Sequence, residues 1–100
     1  MRLIARNVLL AYAERHPEIG VPLERWYRLV RAATWTSMDD VRQAVPHAKV
    51  LNRERVRFGI AGGNYRLITA IDFRRQIVFV KFLGTHAEYD AVDALTVSMF

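Results

Sequence analysis

The stretch Arg55-Val56-Arg57-Phe58-Gly59-Ile60, followed by Gly62-Gly63-Asn64 and then Tyr65-Arg66-Leu67-Ile68-Thr69-Ala70-Ile71-Asp72, decides the fold. Its first six residues alternate polar or small with apolar, the pattern of a strand with one buried face. Gly62-Gly63-Asn64 is a turn signal, because glycine and asparagine tolerate positive φ. The run from Tyr65 to Asp72 is rich in β-branched and aromatic residues, and so is Ile77 to Leu83. Asp72-Phe73-Arg74-Arg75-Gln76 between them is short enough for a hairpin, so three sequential antiparallel strands are predicted. Ile77-Val78-Phe79-Val80 is continuously apolar, which predicts a strand covered on both faces and therefore central.

N-terminal to this meander the period changes from two to that of a helix. After a short strand at Leu3 to Ala5, Asn7 is placed to cap a helix with Val8, Ala11, Tyr12 and Arg15 on one face, stopping before Pro17. Pro22 suits the first turn of a second helix, in which Leu23, Trp26, Val30 and Ala33 form an apolar stripe and Arg25, Arg28 and Arg31 fall largely off it. Ser37-Met38-Asp39-Asp40 resembles a capping box with Asp40 in place of glutamate, starting a third helix that ends at Pro46. The tail from Glu88 is ambiguous between helix and coil. Helices first and strands after predict an α+β fold, with N-terminal helices packed on a small antiparallel sheet. A length of 100 residues, with no repeat or linker, predicts one domain over residues 1–100.

Composition removes several classes of function. There are no cysteines, so a disulfide framework, a thiolate metal site and a cysteine nucleophile are excluded together, and a cytoplasmic location fits best. Nothing resembles a signal peptide or approaches the roughly 20 apolar residues that cross a bilayer, so no membrane partner is expected. Of 15 basic residues against 10 acidic, all but Lys49 and Lys81 are arginine, the side chain best suited to grip phosphate by a bidentate fork. That balance points towards nucleic acid. No phosphate-cradling glycine loop, His-Glu-x-x-His or zinc spacing occurs in the sequence, so no metal ligand and no cofactor is assigned.

Gly84-Thr85-His86-Ala87-Glu88-Tyr89-Asp90 follows the most apolar strand and gathers an imidazole, a phenol, carboxylates and a hydroxyl. Histidine titrates near neutrality, so His86 is a candidate general acid or base, with Tyr89 and Asp90 to donate, accept or orient it. The plainer reading is a solvated loop whose polar groups cap a final helix. Arg66 and Lys81 interrupt apolar strands. Either they enter a groove as fixed cations for a phosphorane, or they keep a solvent face soluble. Arg53, Arg55, Arg57, Arg74 and Arg75 form either a phosphate-tracking patch or a solvated face. His16 and His47 stand beside Pro17 and Pro46 at helix ends, where dipole contacts or solvent account for them. Trp26 and Trp35 suit core positions. Chemistry without a metal is open to RNA, whose own 2'-hydroxyl attacks the adjacent phosphate once acid, base and cations are in place.

Trp26-Tyr27, Tyr65-Arg66-Leu67-Ile68, Arg75-Gln76-Ile77-Val78-Phe79 and above all Gly84-Thr85-His86-Ala87-Glu88-Tyr89-Asp90 resemble, in order and spacing, the HigB-type toxins of the RelE-like and ParE-like group. The resemblance covers essentially the whole chain. It implies a compact microbial ribonuclease-like fold and a toxin of a type II toxin-antitoxin system that cleaves mRNA on the ribosome. A cognate antitoxin, often with a helix-turn-helix domain, would hold it inactive. It further implies that Arg66, Lys81 and His86 surround the scissile phosphate, with Tyr89 and Asp90 in support. The residues expected to contact the RNA are Arg55, Arg57, Arg74, Arg75 and Asn64. The family commonly has asparagine and then lysine just before Tyr-Arg-Leu. This chain has Gly63 and Asn64 there, without the basic residue.

Two classes of function remain: a ribosome-dependent endoribonuclease, and a noncatalytic ParE-like toxin that binds and inhibits a topoisomerase. Fold does not choose between them. A titrating group beside fixed cations favours the nuclease, since a pure binding surface has no need of one.

Overall fold

A computed structural model describes residues 1–100. In chain order the elements are β1 (Arg2–Ile4), α1 (Arg6–Arg15), a 3-10 turn at Pro17–Ile19, α2 (Gly20–Ala32), α3 (Met38–Ala44), β2 (Lys49–Val50), β3 (Arg55–Ile60), β4 (Tyr65–Asp72), β5 (Ile77–Thr85) and α4 (His86–Asp90). The sheet runs in the order β1-β5-β4-β3-β2. The meander is antiparallel as expected, and β2 extends it as an unforeseen two-residue strand. The sheet is nevertheless mixed: β1 joins β5 in parallel, with Leu3 opposite Val78. The connection from β1 to the meander runs through the helices, and such a crossover can return parallel where a hairpin cannot. β5 is therefore an interior strand, and β4 is the middle one.

Local chemistry explains most element boundaries. α1 stops at Arg15 because His16 precedes proline, while its start at Arg6, capped by Ala5 with no side-chain bond, differs from the cap read at Asn7. In α2, Leu23, Trp26 and Val30 are buried, and Ala33 lies just past the helix end. Ser37 accepts from the Asp40 backbone N–H and caps α3. The Asp40 carboxylate reaches one residue further back than a glutamate box does, accepting from the N–H and hydroxyl of Thr36 at 2.9 and 3.0 Å. Those bonds, the backbone one foremost, hold its carboxyl below the usual range.

Alternation along the strands divides the sheet into two faces. Val56, Phe58 and Ile60 of β3, Leu67 of β4 and Val78, Val80 and Leu83 of β5 point to the helices and form one core with Leu9, Leu23, Trp26, Val30, Trp35 and Val41. Each such buried aliphatic or aromatic side chain contributes about 1.5–3 kcal/mol. The opposite face carries Arg55, Arg57 and Gly59, then Arg66 and Ile68, then Phe79, Phe82 and Gly84 in register. Ile68 and Phe82 are buried but stand outside the main core, so the second face has a small apolar centre of its own. α4 and residues 91–100 lie against it: Tyr89 packs near Phe82, and the Met99 N–H donates to the Lys81 carbonyl. No helix is long and apolar enough to cross a membrane.

Candidate active site

The site forms where β5 ends and α4 begins. Thr85 caps α4 by accepting from the Glu88 N–H at 3.1 Å, while the Glu88 carboxylate accepts from the Thr85 N–H at 2.9 Å, a reciprocal box. That backbone bond, then the Thr85 hydroxyl, keeps the Glu88 carboxyl below its ordinary range. The His86 N–H donates to the Asn64 carbonyl at 3.0 Å, tying the helix to the β3–β4 turn. Positive φ at Ala61, Gly62 and Gly63 lets that turn close. α4 thus begins earlier than the tail read from Glu88 onward. The motif caps a helix, in line with its plainer reading, and the same helix exposes His86 and Asp90.

His86 and Asp90 are one turn apart, with Nδ1 3.0 Å from Oδ2, and both are exposed. A carboxylate on Nδ1 selects the tautomer with the proton there and leaves Nε2 as the nitrogen that exchanges protons with a ligand. Tyr89 points at the sheet. Its ring lies 5.5 Å from the Arg57 guanidinium carbon and 5.9 Å from that of Arg66. The Nε–H groups of Arg57 and Arg66 are buried with no acceptor in the protein. Two cations held against one aromatic ring, their Nε–H donors unsatisfied, suit a dianionic or multiply acidic oxygen cluster.

The other candidates fall elsewhere. Lys81 occupies the irregularity between the pairs Ile68–Phe82 and Thr69–Val80, where β5 carries one residue more than β4, and shares the second face. Its ammonium stands 5.7 Å from the Phe79 ring centroid, whereas Arg66 pairs with Gly84 three residues further along β5. Arg55 donates to the carbonyls of Ala94 and Val97 at 3.1 and 2.7 Å, so it binds the chain's own backbone. Arg74 and Arg75 lie on the β4–β5 hairpin, at the opposite end of the sheet from α4, with Arg75 3.7 Å from Asp72. Asn64 serves through its backbone carbonyl. Arg55, Arg74 and Arg75 are thus held away from Arg66, while Arg57 stands beside it.

Two histidines assigned to helix ends have specific surroundings. His16 stacks on Tyr12 at 4.3 Å and stands 3.5 Å from the Tyr65 hydroxyl, so the end of α1 and the start of β4 meet in one aromatic cluster. Burial pushes both phenols above their ordinary range, Glu88 adding to the effect at Tyr12 and Glu18 at Tyr65. His47 borders a cleft of about 750 Å³ between α2 and β3, shared with Arg25, Arg57 and Arg66. Neither placement had a local signal, since both arise from residues far apart in the chain.

Residues 20–92 match the family model described as HigB_toxin, RelE-like toxic component of a toxin-antitoxin system. The matched span runs from α2 to α4 and holds Arg57, Arg66, Lys81, His86, Tyr89 and Asp90. The molecule is thus a toxin of the RelE-like class. Within that class, the chain belongs to the HigB toxin family. It is similar to the mRNA interferase HigB of Escherichia coli O6:H1, with 29% identity over 93 residues, which is 90% of this chain and 89% of that relative.

Proposed function

We propose that this toxin is an endoribonuclease that cuts mRNA on the ribosome in the cytoplasm, acting as one domain over residues 1–100 and silenced by a cognate helix-turn-helix antitoxin. The observation that carries the reading is the pair of buried, acceptor-less arginine donors on Tyr89, beside a histidine oriented by a carboxylate. The relative named an mRNA interferase supports the same substrate. In the reaction a base takes the 2'-hydroxyl proton, the 2'-oxygen bonds to phosphorus, the bond to the 5'-oxygen breaks, and an acid protonates that oxygen. His86 Nε2 moves one of these protons, with Asp90 holding the ring. Arg57 and Arg66 stabilise the extra charge on the phosphorane. Tyr89 holds both guanidinium groups in place, and Lys81 lies on the RNA path further along β5.

Induced expression tests this, with growth followed and new mRNA 5' ends mapped. Wild type is expected to arrest growth and cut within reading frames, while His86→Ala and Arg66→Ala lose cleavage by about 10²–10⁴-fold and remain folded. Lys81→Ala is expected to weaken cleavage less. Growth arrest with intact mRNA, or full toxicity of His86→Ala, overturns the chemistry and makes a topoisomerase-binding toxin the better account.

A further inference from the structure

β2 stops pairing at Arg57, so the outer edge of β3 from Phe58 to Ile60 has no strand beside it. The cleft opens there, between that edge and α2. Its volume of about 750 Å³ lies within the range of built ligand sites. Arg25 and His47 stand at its exposed rim, Trp26 and Leu29 form an apolar wall, and Arg57 and Arg66 reach it from the second face. No carboxylate lines it. Four buried side-chain polar atoms in the protein have no partner, and three of them, the Trp26 indole N–H and the Arg57 and Arg66 Nε–H, are donors of residues lining this cleft. Trp26 is only 7% exposed. Buried donors without acceptors are rare, and here they gather around a cationic, aromatic-walled space.

We infer that the cleft is a subsite for the nucleotide next to the scissile phosphate of single-stranded RNA. Arg25 and His47 hold the flanking phosphate, and the base rests on the Trp26–Leu29 wall. This rests on the ribonuclease reading for the position of the scissile group, since Arg57 and Arg66 belong to both places. An RNA strand entering between α2 and β3 reaches His86 after crossing those two arginines. Flanking bases are then read at α2, a helix that takes no part in the chemistry.

The test uses the full chain and a single-stranded RNA oligonucleotide with 2'-O-methyl groups, which cannot be cleaved, titrated by fluorescence anisotropy at several salt concentrations. Arg25 and His47 are exposed, so Arg25→Ala/His47→Ala is expected to fold as wild type. It should bind about tenfold more weakly. Loss of the Arg25 phosphate contact should lower the salt slope by about 0.7. Arg31→Ala, exposed on α2 and bonded to Tyr27, is the control and should bind as wild type. Equal binding by wild type and the double variant, or equal weakening by Arg31→Ala, overturns the subsite. If wild type cuts mRNA in cells but the free toxin binds no oligonucleotide, the subsite is overturned and the ribonuclease reading stands. If the cleft binds RNA as described and wild type leaves mRNA intact, the subsite stands and the ribonuclease reading falls.

Discussion

Gly84 shows how closely the second face is packed beside the site. A Cβ built there lies 2.7 Å from Phe82 Cζ and 3.2 Å from Glu88 Cβ, so any side chain must displace the ring that anchors Tyr89. The Gly84→Ala variant should lose about 1–3 kcal/mol of stability, read as a lowered urea midpoint at constant m. Adding Phe82→Leu should recover part of that loss, because a shorter side chain clears the space. An unchanged midpoint in the single variant would mean that the ring moves freely, and Tyr89 would then have no fixed support. His86 and Asp90 differ from Gly84 in being exposed, so their substitution should change chemistry with little effect on folding.

At the scale of the element, α4 is one turn and a half, far too short to persist by its own propensity. The Thr85–Glu88 box, the Asn64 carbonyl and the Tyr89–Phe82 packing hold it. Thr85→Ala should cost about 1 kcal/mol and speed amide exchange over residues 86–90 before the rest of the molecule. The box is also sensitive to acid. Because the Glu88 carboxyl lies below its ordinary range in the folded state, its contribution is complete above the unfolded value and disappears as pH falls through the folded one. Amide exchange in α4 should therefore accelerate in that acidic window in the wild type, and Glu88→Gln should remove the dependence. A pH-independent helix in the wild type would contradict the reciprocal bonds.

The whole molecule is a sheet with an extensive core on one face and a small one on the other. Residues 91–100 complete the second, secured where Arg55 donates to Ala94 and Val97 and where Met99 donates to Lys81. Bonds from a charged group to backbone carbonyls are worth about 1.5–3 kcal/mol. Arg55→Ala should therefore raise the exchange rate of the Met99 amide and expose residues 93–97 to protease, with the protection of β4 and β5 largely retained. If residues 93–97 keep their protection in Arg55→Ala, the segment is held by its apolar contacts instead. Along the second face, Arg66 pairs with Gly84 next to α4, Arg57 lies in the row of Ile68 and Phe82, and Lys81 follows Phe82's row at the irregularity.

Local pattern carries a great deal of this architecture. Alternation at Val56, Phe58 and Ile60, the α2 stripe of Leu23, Trp26 and Val30, and the turn at Gly62-Gly63-Asn64 are short-range consequences of side-chain direction and φ, so the order of residues alone makes them legible. The Thr85-to-Asp90 motif is legible too, both as a cap and, through its family resemblance, as a candidate site. Three-dimensional packing decided the rest. The parallel docking of β1, the capture of Arg55 by residues 94 and 97, the separation of Arg74 and Arg75 from the site, and the meeting of Arg25, His47, Arg57 and Arg66 around one cleft all join residues far apart in the chain. An arginine reads alike in sequence whether it faces phosphate, a backbone carbonyl or water. Only the neighbours that the folded sheet brings to its guanidinium decide which it does.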